Sequence, residues 1–261
     1  MVGEGAGLLN ETQGQASSLP LTGERTVPGI PQENYWFRRH EVVYELLAAR
    51  CFGRTVLEAG CGEGYGADLL SRSAARIVAL DYDAPAAGHV ARRYPHLPVV
   101  RGNLVNLPLR SSAVDVVLTL QVVEHLWDQP RFLRECHRVL APGGELAVST
   151  PNRLTFSPGR DIPLNPFHTR ELTADELGGL LAGAGFTVTN MAGLRHGARL
   201  RALDAAHDGS FVDAQIACSL AGLPWPARLR SDVESVTCAD FVLSTADVDS
   251  SVDLVAIGVR S

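Results

Sequence analysis

Short apolar segments alternate with amphipathic ones between residues 55 and 150, and this alternation restricts the possible folds more than any other feature of the chain. The apolar segments are TVLEAG (55–60), RIVALDYD (76–83), LPVVRGN (97–103), VDVVLTL (114–120) and ELAVST (145–150). They have the length of strands and are apolar on both faces, which a parallel sheet covered by helices on both sides requires. The alternation therefore predicts a doubly wound α/β fold with a Rossmann-like sheet.

The second half of the chain extends this prediction to seven strands in a mostly parallel sheet. The sequence TADE (173–176) has the form of a capping box and predicts another helix, which FTVTN (186–190) follows as a sixth strand. Residues 195–240 interrupt the rhythm and indicate a helical insertion before the last strand, VDLVAIGVR (252–260). Ligands of open α/β sheets bind beyond the carboxyl ends of the strands, so we expect the insertion to act as a lid over a substrate.

The start of the chain differs in composition from the remainder. Residues 1–30 are rich in Gly, Ser, Gln and Pro without periodicity, which predicts a disordered tail. From ENYWFRRHEVVYELL (33–47) onward, apolar residues recur at helical spacing. Residues 31–261 are therefore predicted to form a single domain.

Charge and composition narrow the class of partner. A formal net charge of −6 and a pI near 5.7 argue against a protein that binds long nucleic acid by neutralising phosphates. There is no signal peptide pattern and no run of about 18 apolar residues that would predict a membrane span. The five cysteines show no paired spacing, as is typical of a reducing compartment. We predict a cytoplasmic protein and leave open whether it forms a homodimer.

A glycine-rich loop follows the first predicted strand, in the sequence VLEAGCGEGYGADLL (56–70). Glycines such as Gly60 and Gly62 let the backbone approach a ligand at the start of a helix, and Asp81 ends the next strand, where a carboxylate can bind ribose hydroxyls. Dinucleotide-binding oxidoreductases and methyltransferases share these features. Glu58, at the end of the first strand, favours a cationic cofactor such as S-adenosylmethionine, and an NAD(P)-dependent oxidoreductase remains the alternative.

Five segments together resemble the class I S-adenosylmethionine-dependent methyltransferases. They are LEAGCGEGYG, ALDYD, GNLVNLPLRSSAVDVVLTLQVVEHL, RECHRVLAPGGELAVSTPN and NPFHTREL, and they occur in the order and spacing of that family. The resemblance implies that S-adenosylmethionine is bound by Arg38, Glu58, Ala59, Gly60, Gly62, Tyr65, Asp81, Tyr82, Asn103, Leu104 and Gln121. Asp81 would hold the ribose, and Asn103 would contact the adenine. Asn103 stands where many relatives have an aspartate, although an amide oxygen can also accept a bond from the adenine amino group.

A narrower resemblance concerns the substrate. The segments ENYWFRRHEVVYELL, EHLWDQPRFLRECHRVL, STPNRLTFSPGRDIPLNPFHTREL and DAQI are similar to mycobacterial methyltransferases associated with methylglucose lipopolysaccharide. This resemblance implies a carbohydrate acceptor, with the 6-hydroxyl of glucose units as the methylated position. An RNA 2'-O-methyltransferase, or an O-methyltransferase of another small molecule, is the alternative.

Polar residues follow the fourth predicted strand in QVVEHL (121–126). An alcohol is a poor nucleophile, so an O-methyltransferase needs a general base or a metal ion that lowers the pKa of the hydroxyl. Glu124, His125 and His168 are the candidates, and His168 follows the neighbouring strand. The pattern resembles the metal-binding ExxEH motif of some O-methyltransferases, except that Gln121 replaces its first glutamate.

Three interpretations of this cluster remain open. Glu124, His125 and His168 could bind Mg²⁺ or another divalent cation, or His125 or His168 could act as a base without metal. Alternatively, Glu124 and His125 only cap the following turn and pack against the cofactor. In the insertion, the basic residues at 195, 196, 199 and 201 are candidates to bind a hydroxyl-rich acceptor, although a surface helix explains them equally well.

Overall fold

A computed structural model describes residues 25–222 and 224–261. The strands are β1 (Thr55–Ala59), β2 (Arg76–Asp81), β3 (Val99–Arg101), β4 (Val114–Leu120), β5 (Leu140–Pro151), β6 (Phe186–His196), β7 (Phe241–Ser244) and β8 (Asp253–Arg260). The helices are α1 (Asn34–Cys51), α2 (Tyr65–Ser71), α3 (Ala84–Arg93), α4 (Gln129–Val139), α5 (Arg153–Phe156), α6 (Ala174–Gly183), α7 (Ala198–Ala206), α8 (Phe211–Ala221) and α9 (Ala227–Glu234).

All strands belong to one sheet in the order β3-β2-β1-β4-β5-β8-β6-β7. Strands β1 to β5 pair in parallel, whereas β8 lies antiparallel between β5 and β6. This arrangement confirms the doubly wound, mostly parallel α/β fold that the alternation predicts. The order also places β4 beside β5, so the loops that follow these two strands leave the sheet at the same edge.

The predicted number of seven strands is wrong, because the sheet has eight. The additional strand, β7, has only four residues and pairs antiparallel with residues 193–196 at the end of β6. A segment this short carries too few residues to show a strand period, and it directly follows the stretch interpreted as an insertion. The three helices α7, α8 and α9 form the predicted insertion between β6 and β7.

Both faces of the sheet are buried. In β1, Val56 packs into one hydrophobic cluster and Leu57 into the other, because successive side chains of a strand point to opposite faces. Helix α1 covers the first face together with the insertion, and α4 and α6 cover the second. The predicted capping box is present, since the side chain of Thr173 accepts from the backbone of Glu176 and the Glu176 carboxylate accepts from the backbone of Thr173.

Two predictions concern the ends and the exterior of the protein. Most of the predicted tail, residues 1–24, lies outside the described residues. The last part of that tail is described, and Thr26 and Val27 there are buried. Within the described part of the chain, no helix combines the length and apolar character that a membrane crossing needs.

Candidate active site

A cavity of about 790 Å³ opens at the carboxyl ends of β1, β2 and β4, and we call it the cofactor cavity. Predicted cofactor residues that line it are Gly60, Gly62, Tyr65, Asp81, Tyr82, Asn103, Leu104 and Gln121. His125 lines it as well, so the cavity reaches the candidate base cluster. Its volume lies within the range of roughly 300 to 1,000 Å³ that is typical of small-molecule sites.

The glycine loop forms the floor of this cavity. Gly60 has a φ of +88°, and a Cβ atom there would lie 2.5 Å from the Cγ2 atom of Val122. Only glycine fits this position, because both the backbone conformation and the space exclude a side chain. Gly62 donates its N–H to Oδ2 of Asp81 at 2.8 Å, while Oδ1 of Asp81 accepts from the N–H of Asp83 at 2.9 Å. These bonds fix the Asp81 carboxylate at the rim of the cavity.

Glu58 lies behind the glycine loop, between α1 and the start of α2. The hydroxyl of Tyr44 donates to Oε1 of Glu58 at 2.6 Å, whereas Oε2 is buried without a partner among the described residues. Burial is the main cause that raises the pKa of the Glu58 carboxyl to about 8. Glu58 is not among the described lining residues of the cofactor cavity, although Tyr44 is.

Two other predicted cofactor residues are also absent from the described lining, namely Ala59 and Arg38. Ala59 is buried in β1, and Arg38 pairs with Glu41 on the same helix. His40 and Tyr44 line the cavity from α1 instead. They are four residues apart and so lie on the same face of the helix. This spacing in RRHEVVY was a sequence signal that both side chains could reach the cavity.

The base cluster begins where β4 ends. Gln121 has a φ of +56°, and the chain then turns into a short 3₁₀ helix, Val123–His125. The turn directs Glu124 inward, where it is 1% exposed and accepts a bond from the Thr150 hydroxyl at 3.0 Å. Burial raises the pKa of the Glu124 carboxyl to about 7.

The two histidines of the cluster lie against each other. Their rings are in T-shaped contact, with centroids 4.8 Å apart. His125 donates from Nδ1 to the carbonyl oxygen of Phe167 at 3.0 Å, which fixes the tautomer with the lone pair on Nε2. Nδ1 of His168 lies 2.7 Å from Oε1 of Glu171, and Nε2 lies 3.1 Å from the amide nitrogen of Asn165.

Glu124, His125 and His168 therefore come together as the sheet order predicts. Their ligand atoms all lie within 4.8 Å of one another, close enough to converge on one divalent cation. Two imidazoles and one carboxylate suit a first-row transition metal better than Mg²⁺, which prefers oxygen ligands. The donor types thus suit a transition metal, but both ring nitrogens of His168 already have partners, so a metal ion would have to displace Glu171 or Asn165 to bind it.

Gln121 points away from this cluster. Its amide nitrogen lies 3.2 Å from the Ser149 hydroxyl and 3.2 Å from Oδ1 of Asp253. Asp253 forms a buried ion pair with Arg39, whose Nε donates to Oδ2 at 2.6 Å. An amide matches this position because it can donate to Asp253, which a glutamate could not do.

Sequence reasoning missed Glu171 and Asp253. Glu171 stands three residues after His168 in HTRE, so the spacing offered a weak signal for a carboxylate partner. Asp253 lies 132 residues from Gln121 and 214 from Arg39, and no local pattern could have indicated either contact.

The basic residues of the insertion already have partners. Arg195 pairs with Asp247 at 3.0 Å, Arg199 with Asp240 at 2.6 Å. His196 lies between Asp204 and Tyr35, with contacts of 2.8 and 2.7 Å. Arg201 uses one nitrogen to donate to the backbone oxygen of His196. These contacts anchor the insertion to the sheet and to α1.

The chain matches known proteins over most of its length. It matches the family described as methyltransferase domain over residues 57–148. A probable S-adenosylmethionine-dependent methyltransferase of Mycobacterium tuberculosis is 60% identical over 246 residues, which cover 93% of this chain and 90% of that protein. A ubiquinone biosynthesis O-methyltransferase of Methylocella silvestris is 33% identical over 132 residues, covering 49% of this chain and 47% of that protein.

Solved structures agree with this at the level of the fold. A protein of Thermotoga maritima, described as an S-adenosylmethionine-dependent methyltransferase and possible histamine N-methyltransferase, superimposes with a TM-score of 0.58. The alignment covers 87% of this chain and 92% of that one at 18% identity, so the likeness concerns the architecture alone.

Proposed function

The chain belongs to the class I S-adenosylmethionine-dependent methyltransferases, and on that premise we propose that it methylates a carbohydrate hydroxyl. S-adenosylmethionine is its methyl donor, so the alternative of an NAD(P)-dependent oxidoreductase is rejected. We propose the 6-hydroxyl of glucose units, in methylglucose lipopolysaccharide or its precursors, as the acceptor position. A cytoplasmic location remains a prediction, and whether the chain forms a homodimer stays open.

The observation that carries hydroxyl methylation is the base cluster beside the cofactor cavity. When bound, S-adenosylmethionine supplies a methyl group on a positively charged sulfur, so the remaining difficulty lies with the acceptor oxygen. In this proposal His125, which lines the cavity, accepts the hydroxyl proton at Nε2 while the oxygen attacks the methyl carbon. The carbon–oxygen bond forms as the carbon–sulfur bond breaks, and the proton leaves His125 for solvent.

The residues behind His125 support its charge in this proposal. Glu124 and His168 have ligand atoms within 4.8 Å of those of His125, and Glu171 contacts His168 from the other side. A carboxylate close to an imidazole favours its protonated form, and for Glu124 this requires a pH above its pKa of about 7. Should a divalent cation bind Glu124, His125 and His168, it would supply the alternative activation by lowering the pKa of the hydroxyl.

In this proposal, the cofactor residues that line the cavity have the roles that the resemblance implies. The glycine loop at Gly60 offers a backbone floor without side chains, and Asp81 presents an anchored carboxylate to ribose hydroxyls. Asn103 and Leu104 line the same cavity at the position proposed for the adenine. Glu58 lies behind the glycine loop and is not among the described lining residues of the cavity. It would therefore act on the positively charged end of S-adenosylmethionine from a distance, without direct contact.

The carbohydrate class rests on the resemblance to methyltransferases of methylglucose lipopolysaccharide and on the acidic balance of the chain, which disfavours RNA. The test is a methyl-transfer assay with labelled S-adenosylmethionine and three acceptors: glucose oligosaccharides, RNA and a catechol. We expect label in the oligosaccharide alone. Label in RNA or catechol without label in sugar would overturn the proposal.

The role of a metal is tested in the same assay. Activity that survives EDTA identifies a metal-free base, and activity that EDTA removes and Mn²⁺ or Zn²⁺ restores identifies the metal-assisted site. Because two of the three donors are imidazoles, Mg²⁺ should restore activity less well than these transition metals. If Mg²⁺ restored activity as well as Mn²⁺ or Zn²⁺, the inference that these ligands prefer a transition metal would be wrong.

A further inference from the structure

A second cavity of about 400 Å³ lies at the same edge of the sheet, beyond the ends of β5 and β6. Helices α7 and α8 of the insertion form one wall, and residues of and after α5 form the opposite wall. Among the described residues, this cavity and the cofactor cavity have no lining residue in common. We call it the insertion cavity.

A thin partition separates the insertion cavity from the base cluster. Phe156 lines the insertion cavity, and its ring lies 5.6 Å from that of His168. The ring of His168 in turn lies 4.8 Å from that of His125, which lines the cofactor cavity. One side chain, that of His168, therefore lies between a lining residue of the cofactor cavity, His125, and a lining residue of the insertion cavity, Phe156.

A second part of the partition is polar and buried. Arg39 lines the insertion cavity and is held by Asp253, which also contacts the amide of Gln121 in the cofactor cavity. Arg39 and Asp253 are both buried. Arg39 also lies 5.8 Å over the ring of Phe156, so the two parts of the partition support each other.

The lining of the insertion cavity combines hydrogen-bond donors, acceptors and apolar surface. Arg195 and Arg201 provide donors, Asp204 and Asp213 provide acceptors, and Phe156 provides a flat apolar face. Charges of both signs do not favour an anion. They suit a neutral ring that carries several hydroxyl groups, because each hydroxyl both donates and accepts while the carbon face of the ring is apolar.

Two of these side chains retain hydrogen-bonding capacity. Arg201 has no carboxylate partner among the described residues and uses one nitrogen for the backbone of His196. Asp213 lies in the first turn of α8, where the Ser210 hydroxyl accepts from its backbone N–H, and its carboxylate has no ion-pair partner in the described part of the chain. Arg195 and Asp204, by contrast, are engaged by Asp247 and His196.

We propose that the insertion cavity binds a sugar unit of the acceptor other than the unit that is methylated. The enzyme then selects an oligosaccharide over a single sugar, and the insertion serves as a length-sensing subsite rather than only as a cover. This inference rests on the proposed carbohydrate acceptor and adds Arg201 and Asp213 as specificity residues.

The test compares acceptors of different length. With wild-type enzyme, kcat/KM should rise at least about tenfold from methyl glucoside to malto-oligosaccharides. A tenfold rise requires only about 1.4 kcal/mol from the contacts between the additional sugar unit and the insertion cavity. Arg201→Ala and Asp213→Ala should each reduce this ratio between long and short acceptors toward one. The matched control is Arg228→Ala, an arginine of α9 whose side chain is 72% exposed and lies outside the cavity lining. It should keep the wild-type ratio.

Binding without turnover separates the two proposals. Malto-oligosaccharide is titrated calorimetrically into wild-type and Arg201→Ala protein in the presence of S-adenosylhomocysteine. Sugar binding that Arg201→Ala weakens, without methyl transfer to any sugar, would support the cavity and overturn the carbohydrate reaction. Methyl transfer to sugars with no dependence on length, or with equal ratios in the wild type and both cavity variants, would overturn the cavity and leave the reaction intact. No binding and no transfer would overturn both.

Discussion

The edge of the sheet that carries the two cavities has two halves, which are built in different ways. We call them the cofactor half, around the cofactor cavity, and the acceptor half, where α1, β8 and the insertion meet around the insertion cavity. In the cofactor half, the hydrogen bonds that fix the Asp81 carboxylate join residues close in sequence: Gly62 and Asp81 are 19 residues apart, and Asp81 and Asp83 are 2 apart. In the acceptor half, Arg39 bonds to Asp253 across 214 residues, and Tyr35 to His196 across 161. One half is therefore a local motif, while the other exists only in the assembled fold.

This difference suggests a division of roles. A motif formed by β1, the glycine loop and the end of β2 lies within one short stretch of chain, and all members of the family need the same methyl donor. The acceptor half depends on α1, β8 and the insertion meeting correctly, so changes in any of them can alter its shape. The base cluster lies at the junction, since His125 lines the cofactor cavity and His168 packs against Phe156 of the insertion cavity.

The largest expected effect concerns that junction. His125→Gln should lower kcat by about 10²- to 10⁴-fold, the usual contribution of a general base, because glutamine cannot accept the hydroxyl proton. Affinity for S-adenosylhomocysteine, measured by calorimetry, should change far less than kcat. His96→Gln is the control, since His96 is 53% exposed and lies outside both cavity linings. Equal kcat values for His125→Gln and the wild type would remove the base from the mechanism.

The next effect tests the long-range contacts of the acceptor half. Arg39→Met should destabilise the protein by about 3–5 kcal/mol, because it leaves the buried Asp253 carboxylate without its counter-charge. The free energy of unfolding is measured with urea. Arg72→Met removes an exposed pair with Asp68, where Arg72 is 77% exposed, and should cost less than about 1 kcal/mol. Similar losses for both variants would mean that the buried pair does not stabilise the acceptor half.

A third prediction tests the local motif. Gly60→Ala should weaken binding of S-adenosylhomocysteine at least about tenfold, because the added Cβ would meet Val122 at 2.5 Å in a backbone conformation that disfavours a side chain. Gly53→Ala is the matched control, since Gly53 also has a positive φ, +68°, but has nothing within 4 Å of the added Cβ. Both variants bear the backbone strain, and only Gly60→Ala should lose affinity. Equal affinities would show that the loop does not form the cofactor floor.

The smallest effect is a dependence of stability on pH. The pKa of Glu58 is raised to about 8 in the folded protein, so between its ordinary value and pH 8 the folded state holds a proton that the unfolded state has lost. Stability from this group therefore falls as pH rises through that window. Glu58→Gln removes this pH dependence because glutamine does not ionise, and its side-chain oxygen can still accept from Tyr44. The Tm of this variant should therefore increasingly exceed that of the wild type toward pH 8.

Glu145 provides the opposite control for this prediction. Arg50 and Arg54 bond to its carboxylate and hold its pKa below the ordinary value. Its contribution to stability is therefore present at neutral pH and lost in acid, so Glu145→Gln should lower Tm at neutral pH and approach the wild type as pH falls. If the Tm difference from the wild type changed with pH in the same direction for Glu58→Gln and Glu145→Gln, the raised pKa of Glu58 would be contradicted.

The amino-acid sequence alone determined the fold class and the position of the cofactor loop. Strand periods, the capping box at Thr173 and the glycine turn at Gly60 depend on residues within one or two turns of each other, so their patterns are visible in the printed chain. The sheet order that follows from alternating strands and helices was also enough to bring His168 to Glu124 and His125. Sequence reasoning failed for β7, whose four residues carry no period of their own.

Only the tertiary structure decided which side chains form the walls of the two cavities. It placed Glu58 behind the loop, brought His40 and Tyr44 to the lining, and joined Arg39 to Asp253. These outcomes depend on how α1 lies across the sheet and on the register of β8 beside β5. Such contacts link residues that are distant in the chain, and their energy depends on burial and geometry that no short segment encodes.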